Sequence, residues 1–169
     1  MNGSLPSEAL VAAGLALLGL AALHDAAVRT VPNWIPAALL CVGLVLRLLD
    51  GGSLPWGAGA AGAVFLLTFL FWYFGLMGGG DLKLLTASAL FVPPLHVFLL
   101  ISGTALAGGV LAVSYLLLGA LFGQRHGGGR PASLLARIVR CERWRLARRG
   151  PLPYAMAIAA GGVIATLHA

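Results

Sequence analysis

Apolar residues fall in long blocks, separated by short polar or glycine-rich breaks. The first block, Ala9 to Val28, carries His24 and Asp25 about one helical turn before Arg29. A second, Trp34 to Leu49, ends at Arg47 and the polar turn Asp50-Gly51-Gly52-Ser53. The third, Trp56 to Leu76, starts and ends with aromatics suited to a membrane interface, and Met77-Gly78-Gly79-Gly80 breaks it. From Leu84 to Phe122 there are 39 residues without a charge. As one helix they would extend about 58 Å, against a bilayer core of about 30 Å, so the chain must turn inside them. Pro93-Pro94 is the expected turn, because adjacent prolines remove two amide donors and push Val92 out of helical geometry. That choice gives a short segment, Leu82 to Val92, and a long one, Leu95 to Phe122; Ser102-Gly103 is the rival turn. Leu152 to Leu167 forms a sixth span. The pattern predicts an all-α, polytopic membrane protein of about six transmembrane helices, one of them short.

Composition agrees with the pattern. Of 169 residues, 60% are hydrophobic and 9% charged, whereas soluble domains carry about 25% charged residues and need them to cover their surface. The net charge of +6 does not point to nucleic acid, since eight of the eleven basic residues are arginines between Arg125 and Arg149. Arginine gathered between apolar spans is the signature of cytoplasmic retention. With six crossings, the connections after the first, third and fifth spans hold ten of the eleven basic residues, which puts that side in the cytoplasm and both termini outside. The whole chain, 1–169, reads as one membrane-embedded domain with a basic cytoplasmic loop at 123–150. That loop carries Leu134, Leu135, Ile138, Val139 and Trp144 among its arginines, and an interfacial helix on anionic lipid and a solvated linker both fit it. Cys41 and Cys141 have neither CxxC spacing nor a neighbouring histidine, so no metal, cofactor or disulfide is expected. The N-terminal block lacks a basic leader region and a cleavage site, and reads as a retained first helix.

The few acidic residues sort by topology. Glu8 and Asp50 fall on the outer side, and Glu142 lies among arginines. Asp25 and Asp81 remain, both at the cytoplasmic ends of apolar segments, where a carboxylate is costly and marks a functional site by default. A structural reading exists for each: Asp25 pairing with Arg29 at i,i+4, and Asp81 capping a helix that begins at Leu82. Spacing alone leaves both readings open. Two carboxylates at one membrane level do, however, fit a particular chemistry, in which a shared proton lets one draw a proton from water while the other donates to a peptide carbonyl.

The residues around these aspartates resemble a known family. Asp25-Ala26-Ala27-Val28-Arg29-Thr30-Val31-Pro32-Asn33 is similar to the first aspartate motif of type IV prepilin peptidases, with Val31 in place of the usual isoleucine. Gly78-Gly79-Gly80-Asp81-Leu82-Lys83-Leu84-Leu85 resembles that family's GxGD motif and its following Lys-Leu-Leu, and Pro153-Tyr154-Ala155-Met156 the Pro-Tyr segment opening its last helix. The resemblance implies an aspartic endopeptidase with its active site at the cytoplasmic membrane face, cutting the leader from prepilins with Asp25 and Asp81 as catalytic pair. Gly78, Gly80, Lys83, Arg29, Pro32 and Asn33 are supporting residues by the same resemblance. Lys83 stabilises Asp81 or snorkels to the interface, Arg29 and Asn33 position substrate or set a turn with Pro32, and His24 tunes Asp25 or bonds to backbone.

Larger members also N-methylate the new amino terminus through a part with paired CxxC motifs. This sequence has neither, so it looks like the short peptidases of tight-adherence (Flp-type) pili, and methyl transfer is not expected. Presenilin-type proteases share GxGD but pair it with Tyr-Asp and Pro-Ala-Leu motifs, where this sequence has His24-Asp25 and Pro151-Leu152-Pro153-Tyr154. The alternative from another class is a noncatalytic assembly subunit or small transporter whose aspartates bind an ion or partner. Expected partners are a prepilin-like precursor and anionic lipid, not nucleic acid. Because the arginine-rich loop matches the charge of a basic leader, substrate affinity should come from apolar helix packing. Shortening the 123–150 loop while keeping two or three arginines should therefore leave the KM for a prepilin in vesicles unchanged. A large rise in KM at unchanged orientation would assign recognition to the loop.

Overall fold

The computed structural model describes residues 5–122 and 153–169. The basic loop at 123–150, with the interfacial helix considered for it, lies outside them. Six α-helices occur among the described residues: α1 (Leu5–Val28), α2 (Trp34–Leu49), α3 (Leu54–Tyr73), α4 (Gly79–Phe91), α5 (Val97–Phe122) and α6 (Tyr154–Leu167). Residues 5–108 and 153–169 form one compact unit, and 109–122, the later part of α5, belong to a second. Stretches covering α1, α3 and α5 are long and apolar enough to cross a membrane, and α2 and α6 are shorter apolar helices. Large side chains such as Leu66, Leu106 and Leu116 point outward, as a lipid-facing surface requires. This is a polytopic, all-helical membrane protein.

The prolines divide the uncharged stretch as expected. Helix α4 stops at Phe91, Val92 is extended, Pro94–His96 forms a 3-10 turn, and α5 runs uninterrupted through Ser102-Gly103. Several boundaries differ from the sequence reading, and two of the helices concerned bear on the site. Helix α3 begins at Leu54 and ends at Tyr73, short of Leu76, because Gly75 takes a left-handed φ of 70°. There the Leu76 N–H donates to Phe71 O and the Gly75 N–H to Trp72 O, both at 2.9 Å, which closes the helix as a Schellman motif. Helix α4 begins at Gly79, so Asp81 is not its cap but lies in its first turn.

Helix α4 is the centre of the bundle. It packs against α2, α3 and α6, and it is buried almost continuously from Leu82 to Phe91. Helix α1 in turn packs on α2 and α6. Helix α2 and the end of α4 approach each other closely. A Cβ on Gly43 would stand 2.8 Å from the Phe91 amide nitrogen and 2.9 Å from its Cα, atoms that cannot swing away.

A buried arginine that the sequence reading took only as the end of a span secures the same end of α4. Arg47, 2% exposed, donates through Nη2 to Phe91 O at 3.2 Å and pairs through Nη1 with Asp50 Oδ2 at 3.0 Å. Its stem lies on Gly57 of α3, where an added Cβ would come within 2.9 Å of Arg47 Cδ. One side chain thus ties α2, the α2–α3 turn, α3 and the last turn of α4.

Gly43→Ala should destabilise the protein by about 1–3 kcal/mol, the usual cost of overpacking a closed contact. Gly59→Ala, with nothing within 4 Å of the new methyl group, should not. Thermal unfolding of both in detergent checks this, and equal melting temperatures would refute the tight α2–α4 contact.

Candidate active site

Three segments meet around the two aspartates. Asp25 lies in the last turn of α1 and is 6% exposed. Its Oδ2 accepts the Ala155 N–H at 3.0 Å, and Ala155 stands in the first turn of α6, where main-chain N–H groups have no helical partner and the helix dipole is positive. The charges of Arg29 and His24 also act on Asp25.

Asp81 is the third residue of α4, after the extended cap Gly78. Its carboxylate accepts the Gly78 N–H, the backward half of a capping box. A Cβ on Gly78 would approach to 3.0 Å of Asp81 Oδ2, so glycine there lets the carboxylate fold back over the helix end. Asp25 is near enough for its charge to act on Asp81, and Asp81 near enough to act on the Tyr154 hydroxyl. The two carboxylates singled out in the sequence are therefore brought into one cluster, where the charge of one bears on the other.

The supporting residues fall into place around a turn. Arg29 leaves α1 with a φ of 60°, a left-handed conformation that costs a non-glycine residue about 1–3 kcal/mol and persists only where its surroundings impose it. Pro32 O accepts the Ile35 N–H at 3.1 Å. Asn33 stands at the N-cap of α2 but makes no side-chain cap bond. Its Oδ1 instead accepts from Lys83 Nζ at 2.9 Å, so the lysine reaches α2. Gly80 lies against Val31, 3.5 Å from the place of its missing Cβ to the valine Cβ. His24 Nδ1 is 2.7 Å from Thr30 O, the backbone bond that was one of its two readings.

Sequence reasoning missed the main-chain donor of Ala155 and the neighbouring Tyr154. The Pro-Tyr segment marked the start of the last helix, but a backbone N–H has no residue signature. A separate groove of about 410 Å³ is lined on one side by Leu82, Lys83 and Thr86 of α4 and on the other by α2 residues and Phe65; neither aspartate lines it. Among the described residues no three His, Cys, Asp or Glu side chains gather as a metal site.

The prepilin leader peptidase/N-methyltransferase of Bacillus subtilis (strain 168) is 32% identical over 161 residues, covering 91% of this chain and 53% of that protein. The chain thus spans about half the length of that relative. No solved structure matches it. Residues 12–113, which include both aspartates and the turn between α1 and α2, match the model of the type IV leader peptidase family. The chain belongs to that family.

Proposed function

We propose that this protein is a GxGD-type aspartic endopeptidase that removes the leader of prepilin or pilin-like precursors at the cytoplasmic face of the inner membrane, with Asp25 and Asp81 as its catalytic pair. The observation that carries the reading is the meeting of the two carboxylates, each held by a main-chain N–H. Family membership and the relative's name supply the substrate class. Methyl transfer, the other activity in that name, is not part of the proposal.

Two adjacent like charges are costly, so the pair holds one proton between them. The ionised member takes a proton from water as the water oxygen attacks the scissile carbonyl carbon. The protonated member gives its proton to the carbonyl oxygen. Collapse of the tetrahedral intermediate breaks the C–N bond: the leaving nitrogen takes the proton that the first carboxylate had drawn from water, the second carboxylate takes a proton from a hydroxyl of the diol, and the pair returns to its singly protonated state. Orientation rests on the basic residues, with Arg29, Lys83 and the 123–150 arginines cytoplasmic and both termini outside. The loop arginines meet anionic lipid at that face.

Asn at either position keeps the shape of the side chain and an oxygen for the main-chain N–H, while removing the proton chemistry. Asp25→Asn and Asp81→Asn should each lower kcat for prepilin cleavage by roughly 10²–10⁴-fold or more, the range general acid–base groups supply, with normal membrane insertion. Full processing by either purified variant would sink the mechanism, and the absence of cleavage by the wild-type protein alone would favour an assembly or transport role.

Water activation is assigned to carboxylates, so cleavage should persist after prolonged treatment with EDTA and phenanthroline. Loss of activity restored by added zinc would contradict that assignment.

A further inference from the structure

The residue before one aspartate and the residue two places after the other hold the same short turn. His24, beside Asp25, bonds to Thr30 O at 2.7 Å, and Lys83, just beyond Asp81, donates to Asn33 Oδ1 at 2.9 Å. Between those two grips lie Val31, which meets Gly80 of α4, and Pro32, whose φ is fixed by its ring. The turn begins at Arg29 in the left-handed region. Asn33 is positioned to cap α2, yet its oxygen is engaged by α4.

From this geometry we infer that the turn at residues 29–33 is a rigid spacer that sets the separation of the two carboxylates, with His24, Asn33 and Lys83 as positioning residues. The reasoning is mechanical. Asp25 and Asp81 sit on different helices, α1 and α4, and one proton can be shared only over a short, fixed gap. Helix α6 orients Asp25 through Ala155, but this leaves the approach of α4 to α1 to be fixed at the cytoplasmic end. The turn is attached to both helices by a neighbour of each aspartate, so it transmits the position of one to the other. Misplacement by about 1 Å can cost on the order of 100-fold in rate, which gives such a spacer leverage on the chemistry without any contact with substrate.

This inference rests on the peptidase reading for its kinetic consequences, but the spacing itself can be read without substrate. Asn33→Leu removes the Lys83 bond and changes no charge, so it leaves the charged and titratable groups around the pair as they are: His24 from α1, Arg29 from the turn, Lys83 from α4 and Tyr154 from α6. In prepilin cleavage, Asn33→Leu should lower kcat roughly 10- to 100-fold with KM unchanged. The pH–rate bell should narrow by about one unit, because carboxylates moved apart interact less and their two apparent titration steps draw together. Lys83→Arg, which can still reach the amide oxygen, should keep most of the rate, and Asn33→Leu/Lys83→Met should be no slower than the slower single variant. His24→Asn, whose amide nitrogen can stand in for Nδ1, should be faster than His24→Leu.

Infrared titration of the purified protein without substrate, with Asp25→Asn and Asp81→Asn as references, reads the separation of the two carboxyl steps directly. That separation should shrink in Asn33→Leu. An unchanged separation in Asn33→Leu would overturn the spacer whether or not the protein cleaves prepilin. So would a fall in kcat that only follows a lower melting temperature with the bell unaltered. If wild-type protein shows coupled titration but no cleavage, the peptidase reading falls and the spacer stands.

Discussion

Helix α4 is too short to bring both of its ends to water, and much of the arrangement follows from that. Its 13 residues span about 20 Å of a core about 30 Å thick. A helix end leaves main-chain groups without partners, and lipid supplies none. The Phe91 end is closed by protein. Phe91 and Val92 are buried, Pro93 and Pro94 have no N–H to offer, and the Arg47 guanidinium donates to Phe91 O. The other end is closed by Asp81, which accepts the Gly78 N–H. The residue proposed for catalysis is thus also one that lets the helix start where it does.

The neighbours of α4 bear the marks of the same constraint. Because α2, α3 and α6 must cover it, side chains at the contacts are pared down, most of all at Gly43, where the backbone of α4 occupies the space of a Cβ. Arg47 can lie buried in an apolar bundle because Asp50 compensates its charge and Phe91 O accepts from Nη2, and removing Asp50 would leave a cost of several kcal/mol. Rigidity at the Phe91 end matters to the Asp81 end. A helix clamped at Phe91 presents Asp81 at a defined depth, and the turn from Arg29 to Asn33 then needs only to fix it sideways.

Much of this was legible in the sequence, for identifiable reasons. The spans follow from block length, and the break at Pro93-Pro94 from missing amides, because both are local properties of the chain. Asp25 and Asp81 stood out since a carboxylate at an apolar segment's end has few structural excuses. What was not legible involved partners distant in sequence or without side-chain identity. The start of α4 was read three residues late, because three glycines look like a break, whereas here two of them are helical and Asp81 folds back over the third. Arg47 looked like an ordinary interfacial arginine, since its acceptor is a carbonyl 44 residues away. Lys83 looked like a partner for Asp81 or for the interface, and its actual acceptor, Asn33, is 50 residues off.

The two carboxylates also show how fold and chemistry divide the same atoms. Each has two oxygens. One oxygen of Asp25 is committed to the Ala155 N–H, and the Asp81 carboxylate accepts the Gly78 N–H, bonds that belong to the starts of α6 and α4. These bonds orient the carboxylates, and in the proposed mechanism the remaining oxygens would share the proton and meet the water. A side-chain donor in their place would add a rotatable arm and, if cationic, a charge competing with the proton that the proposed mechanism requires the pair to keep. A main-chain donor at a helix start is rigid, carries only a partial charge, and is indifferent to the side chain at its position. That is why the proposed chemistry can depend on Ala155, a residue whose own methyl group does nothing to advertise it.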